Sequence, residues 1–108
     1  MNYITIELAG KEYKARLDTR ACVELGRKLK TNPLNIMLGV ADGGIPQLED
    51  LLIIIHASLQ KLEHGISIDK LYDIYDEHVS QGGSIDDLVD IVIKIFQHCG
   101  LIKNEETD

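Results

Sequence analysis

Two periods of apolar spacing divide this chain, and the switch between them falls at Asp18. Residues 3–8 and 13–17 alternate apolar with polar side chains, the mark of strands with one buried face. Gly10-Lys11 between them fits a two-residue turn with glycine at the first central position, which joins the strands into a hairpin. That turn would pair Leu8 with Tyr13, Glu7 with Lys14, Ile6 with Ala15 and Ile4 with Leu17. Apolar then meets apolar on one face and Glu7 meets Lys14 on the other. A lone hairpin is marginal in water, so its apolar face has to rest on helices.

From Asp18 onward the spacing is helical. Asp18 is placed to cap a helix over 18–30, with Ala21, Cys22, Leu25 and Leu29 as its inner stripe and Arg20, Glu24, Arg27 and Lys28 outside. Asn32-Pro33 opens a short helical turn over 32–38, and 39–44 is expected as an exposed loop. A long helix runs over 46–63, starting at Pro46 and stopping before Gly65. Ser67 caps a helix over 68–81 that Gly82-Gly83 ends, and Ser84 with Asp87 caps one over 85–99 that Gly100 closes. The fold class is therefore α+β, mostly α: an N-terminal β-hairpin packed on a bundle of four longer helices plus a short helical turn. Residues 1–102 form one domain, and 103–108 a polar, frayed tail.

The helical wheels separate core from surplus. On the 46–63 helix, Leu48, Leu51, Leu52, Ile55, Leu59 and Leu62 fill one arc, while Ile53, Ile54 and Ala57 lie outside it. Either this helix is buried on both sides or the second face receives another protein. The helix over 85–99 has the widest apolar arc and is expected to be central. On the helix over 68–81, Ile68, Leu71, Tyr72, Ile74, Tyr75 and Val79 turn inward and Asp69, Asp73, Asp76 and Glu77 outward.

Composition changes this picture little, but charge adds to it. The 108 residues carry 44% apolar side chains, too many for a disordered chain, and the uncharged stretches, 31–41 and 51–60 the longest, are too short to span a bilayer. The N-terminus has no signal-peptide pattern, so a cytoplasmic protein is expected. The net charge is −7, yet residues 11–30 hold seven basic side chains against three acidic ones, leaving −11 on the remainder. An acidic chain whose basic cluster is interleaved with acids is a poor nucleic-acid binder. A basic sector facing an acidic one suits self-association or a complementary partner.

The search for chemistry finds no constellation. The acidic stripe lies on a regular helix and not in a calcium loop, Asp86, Asp87 and Asp90 suit a helix start, and no two histidines stand at metal-ligating spacing. Cys22 and Cys99 fall on apolar faces and are expected to be reduced and buried. Gly83-Ser84-Ile85-Asp86 imitates a phosphopantetheine carrier start, but a capping role accounts for the Ser84 hydroxyl. No catalytic, cofactor or metal residue is expected.

Taken in order, the hairpin, Glu24-Leu25-Gly26-Arg27-Lys28-Leu29, Asn32-Pro33-Leu34 and Ile45-Pro46-Gln47-Leu48 resemble the tail assembly chaperones of long-tailed bacteriophages and related prophages. The likeness continues through Leu71-Tyr72-Asp73-Ile74-Tyr75-Asp76-Glu77, Gly82-Gly83-Ser84 and Cys99-Gly100-Leu101. What the resemblance implies is a non-enzymatic helper in the cytoplasm of the bacterial host. Such a protein keeps the tape measure protein soluble, recruits tail tube subunits and is absent from the mature virion. Within that role Ile53, Ile54 and the segment 39–45 are the apolar candidates for partner contact, and Asp69, Asp73, Asp76, Glu77, Arg20, Arg27 and Lys28 the charged ones. A structural tail completion or connector protein and a small regulatory adaptor are the competing readings.

Overall fold

The computed structural model describes residues 2–103, so all of the tail expected over 103–108 except Lys103 lies outside the described residues. It contains strands β1 (Ile4–Leu8) and β2 (Lys11–Ala15). They are followed by helices α1 (Thr19–Leu29), α2 (Leu34–Ala41), α3 (Leu48–Leu59), α4 (Ile68–Ser80) and α5 (Ile85–Cys99). This is the expected α+β, mostly α architecture.

The hairpin forms, but in a different register. Its turn is Ala9-Gly10, with both φ angles positive at 53° and 76°. Two left-handed residues give the turn whose twist matches that of the strands it joins. Ile6 consequently faces Tyr13 instead of Ala15, and Ile4 faces Ala15 instead of Leu17. The slip is two residues, so every side chain keeps its face, and Ile6, Leu8, Tyr13 and Ala15 remain buried. The outer face does change: Glu7 lies opposite Glu12, and Thr5 opposite Lys14.

The helix caps match the sequence closely. Asp18 Oδ1 accepts from the Ala21 amide at 2.9 Å, Ser67 accepts from Lys70, and Ser84 with Asp87 forms a reciprocal capping box. Helix α2 is longer than the expected turn and absorbs Gly39, which moves the start of the loop to Asp42. Burying Met37 and packing Val40 on the core outweighs the cost of about 1 kcal/mol for a glycine inside a helix. Helix α3 is shorter than expected, ending at Leu59, after which the Gln60 side-chain Nε2 donates to the carbonyls of both His56 and Ile66.

The core lies around α3, which packs against α1, α4, α5 and β2, while α5 and α4 also support β1. Both faces of α3 are therefore covered within the chain. Ile54 is 0% exposed, and Ile53 and Ala57 pack half-buried against the core. This corrects the expectation for Ile54 as a partner contact, because its side chain is enclosed by its own fold. Phe96, Leu88 and Val92 of α5 are fully buried as well. No helix is long and apolar enough to cross a membrane among the described residues.

Candidate functional site

Helix α4 packs on α3 and β1 along only part of its apolar arc. Leu71 is buried, but Tyr72 and Val79, expected inside, are 40% and 46% exposed. Between Tyr72 and Tyr75 of α4 and Leu48 and Leu52 of α3 runs an open apolar groove of about 360 Å³. Leu52 is buried at its floor, while Leu48, 38% exposed, forms the opposite lip. Glu49 and Asp76 stand at the rim. Ile45, just upstream of α3, is 88% exposed and belongs to the apolar segment 39–45 singled out from the sequence.

The acidic stripe of Asp69, Asp73, Asp76 and Glu77 is exposed on α4 as expected. Of the four, Asp76 reaches the groove. Arg20, Arg27 and Lys28 are exposed on α1, which packs on α3 separately, so the basic set does not line this groove. Lys28 acts on His56 instead: burial, and then the Lys28 charge, lower the His56 pKa below its ordinary value of 6.5.

Sequence reasoning missed His78. Its Nδ1 accepts the Ala9 amide at 3.0 Å and its Nε2 lies 2.9 Å from Asp87 Oδ2. Since Nδ1 must accept, Nε2 carries the hydrogen and donates it to the carboxylate. Asp87 also accepts from the Ser84 amide, and that bond together with His78 lowers its pKa. Gly83 belongs to the same cluster, because a Cβ there would collide with the imidazole ring. The adjacent Gly82-Gly83 pair was the available signal, and it looked like a helix stop alone.

The two cysteines, expected buried, are half-buried and free, and their side chains are neighbours. Burial, with the Cys99 side chain next to it, pushes the Cys22 thiol up to about 12. Among the described residues no three His, Cys, Asp or Glu side chains gather as metal ligands would. The chain was compared with protein-family models, curated proteins and solved structures, and it matches none.

Proposed function

We propose that this chain is a non-enzymatic assembly chaperone of the phage-tail type, which keeps the tape measure protein soluble and brings tail tube subunits to it. The observation that carries the reading is the open apolar groove between α3 and α4 with carboxylates at its rim. A long amphipathic helix presents apolar anchors on one stripe with charge to either side, and such a stripe seats in a groove of this kind. Leu48, Tyr72 and Leu52 supply the apolar contact, and Glu49 and Asp76 meet flanking Lys or Arg. The ordered sequence resemblance supplies the identity of the helical partner. Tyr72 and Leu48 are already exposed, so substituting them leaves the fold intact.

The test is co-expression with a tape measure protein encoded beside this chain. A soluble complex is expected, and Leu48→Asp with Tyr72→Asp weakens it by about tenfold or more, as loss of a central apolar anchor does. Charge reversal at Asp73 and Glu77 that left binding unchanged would remove the acidic stripe from the contact. A tape measure protein that stays insoluble, or this chain found in stoichiometric amount in purified virions, overturns the chaperone reading.

A further inference from the structure

The hairpin has one edge that is mostly occupied and one that is open. A two-residue turn makes Leu8 and Lys11 a hydrogen-bonded pair, and alternation then turns the N–H groups of Thr5, Glu7 and Ala9 away from β2. On the far side, the outward amides of Lys14 and Arg16 are taken by Glu63 Oε2 at 2.7 Å and the Ser58 carbonyl at 2.8 Å, which leaves Glu12 next to the turn. On the β1 side, Ala9 donates to His78, while Thr5 and Glu7 have no backbone partner among the described residues. Those two amides face a groove of about 650 Å³ between β1 and α5, and this volume is in the range of ligand clefts, roughly 300–1,000 Å³.

The groove is acidic. Glu7 and Glu12, directly opposite each other on the hairpin, make no ion pair among the described residues. Like charges in that position repel. Asp87 and Asp90 stand on the α5 wall, with Lys94 the single cation among the described residues that line the groove and Ile91 as an apolar seat.

We propose that the free edge of β1 is a docking strip for an extended, basic segment of a partner polypeptide, which adds as a third strand between the hairpin and α5. Its backbone pairs with Thr5 and Glu7, and the His78–Ala9 contact stops it at one end. Alternate side chains then divide the work: basic ones meet Glu7 and Glu12, and apolar ones turn toward Ile91. A second copy of this chain fits less well, because its own β1 would bring two more glutamates to the same place. The strip uses none of the residues of the α3–α4 groove, so it stands or falls independently of the helix-binding reading.

The probe is a hexapeptide of alternating lysine and valine, titrated into the isotope-labelled full chain and followed by amide shifts and hydrogen exchange. Exchange at Thr5 and Glu7 is expected to slow by about tenfold or more at saturation, the equivalent of one hydrogen bond, with weaker binding at high salt. A glutamate–valine peptide, or one N-methylated at alternate residues, should give no protection. Thr5→Pro removes one edge donor at a position where an edge strand tolerates proline. Glu7→Gln with Glu12→Gln leaves the backbone alone and should weaken the lysine peptide by about three- to tenfold. Protection by the N-methylated peptide, or shifts confined to other elements, overturns the proposal. Protection of Thr5 and Glu7 that rises with protein concentration alone overturns it too, by giving the edge to a second copy.

Discussion

His78 ties the hairpin turn, far away in sequence, to the end of α4 and the start of α5. Gly83 leaves room for the ring, so Gly83→Ala is expected to destabilise the fold by about 1–3 kcal/mol through overpacking. Urea denaturation measures this, and an unchanged midpoint would mean the ring moves aside freely. The thiol pair makes a second statement at this scale. With the Cys22 pKa near 12 against an ordinary 9.0, its thiolate is about a thousandfold scarcer. Iodoacetamide at pH 8 should leave Cys22 unmodified in folded protein over a time that fully alkylates the urea-unfolded chain, and Cys99→Ala should shorten that lag. Neither the Ala9–His78 contact nor the meeting of the thiols was legible in the sequence, because each joins residues 69 or more positions apart.

At the scale of elements, what the sequence displayed best was where helices begin and end. Capping is local chemistry: Asp18, Ser67 and Ser84 each act within three residues of themselves, so one-dimensional reading suffices. The hairpin register was not legible for the opposite reason. Glu7 opposite Lys14 looked better than Glu7 opposite Glu12, but the turn is held at Ala9 by a histidine from α4. The candidate groove was half visible, since apolar Tyr72 and Leu48 could be found by periodicity while their exposure depends on how many neighbours α4 has. Ile54 failed as a contact for the same reason in reverse. Gly39, inside α2 with open space around it, is a site where alanine should raise stability by about 0.4–1 kcal/mol, read as a higher denaturation midpoint.

For the molecule as a whole, the shifted groups bound a pH window. Asp18 and Asp87 lie below the ordinary 3.8, held there first by backbone amides and then by Lys61 and His78 respectively. Their stabilisation is present above pH 4 and is lost as pH falls through the folded values. His56 is lowered from 6.5, so below that pH the unfolded chain binds more protons and stability declines. Burial raises Cys22 from 9.0 and Tyr13 and Tyr75 from 10.0, so stability falls again above about pH 9 as the unfolded chain ionises first. Thermal melts should therefore plateau between about pH 6.5 and 9, and His56→Gln should flatten the shoulder from 6.5 to 5 while the drop below 4 persists.

The Glu63 and Ser58 contacts that occupy one margin of the hairpin have a consequence for crowded solutions. A ribbon that can widen in a single direction closes after pairing with a two-fold mate, whose far margin is blocked in the same way, and edge pairing of this chain cannot be extended into a fibril. Association through this edge should yield at most a closed pair.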